Sequence, residues 1–160
     1  MSKVIRFVHM KPEEIELAKR FLKQIPQNYI KVETSVKLYP PKEFHEEFIR
    51  EAIEEYARAM NISFETAYEY FKKYHILEMI YENYAKRIDI VIEYPREIWI
   101  VEIKDKLRPS GIGELLTYDY WYRHNFKPMK PIRLVYAVKY RDIMVEQVCK
   151  YLNIKVIYIE

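Results

Sequence analysis

Three charged residues stand where their types and spacing can do chemistry together: Asp89, Glu102 and Lys104. They lie in two apolar runs, RIDIVIEY at 87–94 and EIWIVEIK at 97–104, separated only by Pro95 and Arg96. Alternating apolar residues on both sides of a proline-containing turn read as strand, turn, strand. If Tyr94 faces Glu97 across that turn, the register sets Asp89 opposite Glu102 and Arg87 opposite Lys104. Opposed residues share a sheet face, with Cβ atoms about 4.5–5.5 Å apart. Glu102 and Lys104 share it too, being two residues apart on one strand.

Two carboxylates held that close repel unless a cation lies between them. Their hard oxygens suit Mg²⁺ or Mn²⁺, which use few protein ligands and keep waters. A cation so held can polarise a phosphodiester. A neighbouring lysine adds a point charge for the transition state. The competing reading is a solvated sheet face whose carboxylates are neutralised by Arg87 and Lys104. Against it, Ile98 and Ile100 continue the row of Glu102 and Lys104, while Trp99, Val101 and Ile103 make the other face apolar. A strand apolar on both faces is covered on both.

R-I-D-I-V-I followed by I-V-E-I-K resembles the PD-(D/E)XK nuclease superfamily. The succeeding G-E-L-L-T-Y resembles the Q-x-x-x-Y helix motif of its RecB-like branch, which contains many archaeal and viral exonucleases. The resemblance implies an α/β fold with a restriction-endonuclease-like core, in the order α-β-β-β-α-β with a mixed central sheet. It also implies a Mg²⁺- or Mn²⁺-dependent deoxyribonuclease that hydrolyses DNA phosphodiesters, as an endonuclease or an exonuclease. The expected metal ligands are Asp89, Glu102 and the backbone carbonyl of Ile103, with Lys104 catalytic. Glu114 and Tyr118 complete the expected catalytic set. The family often places an acid on its first helix, and Glu14 is the candidate here, with Glu13 and Glu16 as alternatives. In one departure from the pattern, Glu114 stands where the motif has glutamine, which brings a third carboxylate towards the site. In the other, Ile88 stands where a proline often precedes the aspartate.

The positioning elements follow from periodicity. Val4, Ile5, Phe7 and Val8 suggest a short strand. Pro12 suits the first position of a helix carrying Ile15, Ala18, Phe21, Leu22 and Ile25 on one stripe. Residues 30–38 alternate with period two and read as a half-buried strand. Two amphipathic stripes follow, one from Phe44 to Met60 and one from Phe64 to Tyr84, as a helical insertion at about 41–84. The aromatics of the second stripe can be read as a base-stacking surface or as core, and helical spacing favours core. Ser110 can cap a helix beginning GIGELL. IRLVYAV, 141–151 and IKVIYI then read as strand, helix and strand. Gly111 and Gly113 open the 110s helix, either for close approach to a phosphate or for packing on the hairpin. With Lys106, Arg108 and Arg123 they form the expected DNA-contacting set, alongside His124 and Lys127.

Composition sets the outer limits. The 160 residues fit a single domain spanning 1–160, half apolar and about a third charged, which is globular and not disordered. The net charge of +3 permits a nucleic-acid partner without demanding one. One cysteine, Cys149, excludes a disulfide framework, a cysteine-rich zinc site and an iron–sulfur cluster, and the histidines lack ligand spacing. No apolar run reaches membrane-spanning length, and the N-terminus is no signal peptide, so an intracellular location is expected, or a host cytoplasm for a viral protein. Few glycines with much Ile, Tyr, Glu and Lys lean towards a thermophilic source. The partners expected are DNA and, for self-association, a second copy in a homodimer. Two other function classes fit the same composition: a non-catalytic nucleic-acid-binding module, and an assembly protein using its tyrosine-rich insertion as an interface.

Overall fold

The computed structural model describes residues 4–160. In chain order its elements are α1 (Pro12–Gln24), β1 (Lys31–Leu38), a short 3₁₀ turn (Lys42–Phe44), α2 (His45–Met60), α3 (Phe64–Lys73) and α4 (Ile76–Tyr84). Then come β2 (Lys86–Glu93), β3 (Ile98–Lys106), α5 (Pro109–Phe126), β4 (Ile132–Tyr140), α6 (Ile143–Tyr151) and β5 (Lys155–Tyr158). They form two compact units: one runs through Leu38 and resumes at Arg87–Glu160, the other is Tyr39–Lys86.

The first unit is a mixed α/β layer built on a five-stranded sheet in the order β1-β2-β3-β4-β5. The strands β2 and β3 pair antiparallel, while β3, β4 and β5 run parallel. Alternation along β3 divides the core into two layers. Trp99, Val101 and Ile103 join Ala18, Phe21 and Leu22 of α1, and Ile25 just after it, with Val135 and Ala137 of β4. Ile98 and Ile100 turn the other way, onto Ile112, Leu115 and Tyr118 of α5 and Val145 and Cys149 of α6. Both faces of the sheet are therefore covered, as the apolar runs predict. Helix α1 starts where Pro12 sets φ and needs no N–H partner, and Glu14 closes its first turn by accepting the Lys11 N–H at 3.2 Å.

Three local expectations fail for identifiable reasons. The N-terminal strand is absent: residues 4–8 have no ladder, and the carbonyls of Arg6 and Val8 accept instead from the hydroxyls of Thr34 and Ser35. Ser35 has φ 51°, so β1 kinks where a backbone partner would have to align. Ser110 does not cap α5. Pro109 takes the first helical position, Arg108 precedes it, and Ser110 falls inside the first turn. The second stripe of the insertion is two helices. His75 adopts φ 53°, ending α3 and starting α4 while Ile76, Leu77 and Ile80 still pack on its core.

The second unit is helical, with Ile53, Ala57, Ala67 and Phe71 as its buried centre. Its aromatic stripe is divided: Phe71 is buried, whereas Phe64, Tyr68, Tyr70 and Tyr74 each leave about half of their surface to solvent. Stacking of Tyr56 on Tyr70, with ring centroids 5.5 Å apart, accounts for part of the rest. No helix among the described residues is long and apolar enough to cross a membrane.

Candidate active site

The hairpin has the register its turn predicts. Tyr94 N–H donates to the Glu97 carbonyl at 2.8 Å across Pro95 and Arg96, and the ladder runs from Glu93 opposite Ile98 to Ile90 opposite Val101. The next pair in that register is Asp89 with Glu102. Here the ladder gives way to a side chain: the Ile103 N–H donates to Asp89 Oδ2 at 2.8 Å. Asp89 is thus anchored to the backbone of the strand that carries Glu102 and Lys104.

Glu102 is the unusual group. It is 1% exposed and lies in the middle of β3, beside Tyr136 of β4 in the parallel register. Lys104 Nζ meets its Oε1 at 3.1 Å. Its Oε2 is buried without any hydrogen-bond partner. An ionised oxygen left this way costs several kcal/mol, roughly, unless something positive reaches it. Burial pushes the Glu102 carboxyl far above the usual carboxylate range, and the nearby Asp89 and Glu114 carboxylates push it the same way, against the pull of Lys104. Asp89 is raised by burial too, partly offset by the Ile103 N–H and Lys104, with Glu14 and Glu114 adding to the rise. Burial would lower the Lys104 ammonium, but the charge and hydrogen bond of Glu102, then Glu114 and Asp89, hold it above its ordinary value.

Helix α5 delivers the remaining pair. Glu114 and Tyr118 are one turn apart, and the Tyr118 hydroxyl donates to Glu114 Oε2 at 3.3 Å. Burial, followed by the charges of Glu102, Glu114 and Asp89, keeps that hydroxyl protonated well above its usual range. It stays a neutral phenol here, with a proton to donate. Glu14 is half-buried at the start of α1 while Glu13 and Glu16 are exposed, and its charge acts on Asp89. Asp89, Glu102, Lys104, Glu114 and Tyr118 therefore converge, with Glu14 at their margin. Ile103 contributes its N–H to Asp89 and buries its side chain completely. No set of three or more His, Cys, Asp or Glu side chains among the described residues is already drawn together around a metal-sized space.

The two glycines separate. A Cβ on Gly111 would fall 2.1 Å from Tyr136 Oη and 2.3 Å from Cζ, so Gly111 is there to let α5 pack on β4. A Cβ on Gly113 would meet nothing within 4 Å. Tyr136 itself escaped sequence reasoning. Fully buried, it accepts the Arg108 N–H at 3.2 Å and donates to the Arg108 carbonyl at 3.3 Å, fixing the entry of α5 next to Glu102. Its place in the regular apolar run of β4 gave it the look of ordinary core, and only the parallel register with Glu102 reveals it. Among the expected DNA-contacting residues, Lys106 and Arg108 are exposed just past the site, Arg108 pairing with Asp105 at 3.5 Å. Arg123 is about four turns further along α5 and is engaged by Asp119 at 3.0 Å.

Charge is distributed unequally between the units. Residues 39–86 hold ten acidic and six basic side chains, a net of −4, so the rest of this +3 chain carries +7. The converging carboxylates sit in the basic unit.

Residues 47–85, within the helical unit, match a family described as a protein of unknown function, DUF3791. No curated protein matches the chain, and no solved structure does.

Proposed function

We propose that the chain is a divalent-metal-dependent DNA nuclease, built on a restriction-endonuclease-like core with residues 39–86 as a helical insertion. The observation that carries this reading is Glu102 Oε2, a buried carboxylate oxygen without a partner in a cluster of three carboxylates and one ammonium. The donor set is all oxygen, which suits Mg²⁺ or Mn²⁺ and disfavours softer ions. Asp89 and Glu102, with the Ile103 carbonyl, are the groups that would hold it. Bound there, the cation would neutralise the carboxylates and polarise a phosphodiester for attack by water.

The chain's own groups have definable tasks. The Ile103 N–H fixes one Asp89 oxygen, so the aspartate cannot swing away from Glu102. Lys104, a third exposed, is tethered to Glu102 yet open to solvent, where its ammonium can meet a phosphate oxygen and the charge that grows on it. Lys106 and Arg108, exposed beyond Lys104, extend that positive edge along a phosphate backbone. The +7 balance of this unit favours a polyanion, and the −4 of the helical unit argues against base stacking on its aromatics.

Purified protein should degrade DNA in Mg²⁺ or Mn²⁺, and Asp89→Ala or Glu102→Ala should abolish it. Persistent cleavage by either variant refutes the assignment. A non-catalytic binding module would instead show salt-sensitive DNA binding and no metal-dependent turnover in the same assay.

A further inference from the structure

Each carboxylate of the cluster has one oxygen tied to a donor of the chain. Asp89 Oδ2 takes the Ile103 N–H at 2.8 Å, Glu102 Oε1 takes Lys104 at 3.1 Å, and Glu114 Oε2 takes the Tyr118 hydroxyl at 3.3 Å. Glu102 Oε2, on a residue 1% exposed, has nothing, and Glu114 is close enough for its charge to act on the Glu102 carboxyl. The anchors hold one oxygen of each of the three carboxylates in place.

Charge balance then constrains the occupant. Asp89, Glu102 and Glu114, all ionised beside Lys104, leave a net −2 in a largely buried place. One divalent cation brings that to zero. A glutamine at position 114 would leave the same cation with a surplus positive charge, and two divalent cations would leave a surplus with Glu114 in place. Burial makes each unbalanced charge expensive, so the balanced loading is the favoured one.

We propose that Glu114 is itself a cation ligand, a third carboxylate beside Asp89 and Glu102 held in place by Tyr118, and that the site takes a single divalent ion. This rests on the metal-dependent reading above. Among the described residues the three carboxylates form no closed metal cage, and their like charges repel until a cation lies between them. Glu114 rides on a helix whose entry is fixed by Tyr136 and Arg108, so loading needs movement of its side chain and none of its backbone. Tyr118 is a positioning residue: it holds the ligand and does not itself meet the ion.

The test is calorimetric titration of Mn²⁺ into the full chain at neutral pH without nucleic acid, paired with DNA cleavage. The wild type should bind one Mn²⁺ per chain. Glu114→Gln should lower that affinity at least about tenfold, and Tyr118→Phe should lower it by a smaller factor. Thermal melts of metal-free Glu114→Gln should equal or exceed the wild type, which separates ligand loss from misfolding. A stoichiometry of two, no Mn²⁺ binding by the wild type, or undiminished binding by a folded Glu114→Gln overturns the proposal. If Mn²⁺ binds as expected and DNA is never cut, the nuclease reading fails while Glu114 keeps its role. If DNA is cut and Glu114→Gln binds Mn²⁺ normally, only the ligand assignment falls.

Discussion

Replacing Glu102 by glutamine should make the metal-free protein more stable, and increasingly so as pH rises. In the unfolded chain this carboxyl ionises near 4.5, whereas in the folded protein burial, Asp89 and Glu114 keep its proton on well past that value. A folded pKa above the unfolded one gives stability that is complete at low pH and is lost as pH climbs towards the folded pKa. If the proton is retained to pH 7, the interval of two and a half units costs about 3 kcal/mol, at roughly 1.4 kcal/mol per unit. Glutamine has the same shape and never ionises, so that loss is absent from the variant. The two proteins should differ by less than about 1 kcal/mol at pH 5 and by about 3 kcal/mol at pH 7, or roughly 6–12 °C in Tm for a chain of this size. Urea melts in a chelating buffer at both pH values read the difference directly. Saturating Mn²⁺ should close the gap by stabilising the wild type alone, since the cation binds the ionised form. A gap that is the same at pH 5 and pH 7 would refute the claim that Glu102 is the strained acid of the site.

Other outcomes follow from the same geometry. Gly111→Ala should destabilise by about 2 kcal/mol or more, because the new methyl collides with the Tyr136 ring. Tyr136→Phe should not rescue it, since ring carbons stand within 2.5 Å as well, whereas a smaller residue at 136 should. Gly113→Ala should raise stability by up to about 1 kcal/mol in denaturant melts, an added methyl there having open space around it. Lys104→Met should lower cleavage by about a hundredfold or more while Mn²⁺ binding survives in calorimetry, and equal losses of both would make Lys104 merely structural. Cleavage by the wild type should weaken steeply between low and moderate salt, and a KM indifferent to salt would remove the electrostatic role given to the basic unit.

What the sequence discloses depends on how local the cause is. The hairpin register was legible because Pro95 and Arg96 alone decide which residues of β2 and β3 oppose each other. The start of α1 was legible because proline at the first helical position is a local preference. The segment at 4–8 misled because alternation reports which side is buried and says nothing about a partner strand. The break at His75 left no trace, since the apolar stripe continues through it. Tyr136 is the clearest non-local case: its importance comes from a parallel register formed across α5, between segments about thirty residues apart. Gly111 shows the same limit. The glycine was visible, but the phenol ring that requires it was not.

The connection between β1 and β2 has a further meaning. These strands are neighbours in the sheet, and the Ile30 N–H donates to the Glu93 carbonyl, so the start of β1 lies beside the end of β2 and, each strand being eight residues long, the end of β1 falls near the start of β2. A whole folded helical unit is therefore threaded through a gap that a hairpin turn could span, roughly one strand spacing of about 4.8 Å. Closure entropy rises only by about 0.6 kcal/mol per doubling of loop length, so the sheet barely registers how much chain is spliced there. The two units can then be edited separately: the insert exchanged, shortened or tagged at one junction while the carboxylate hairpin, beginning just past it at Asp89, keeps its register from the turn at its other end.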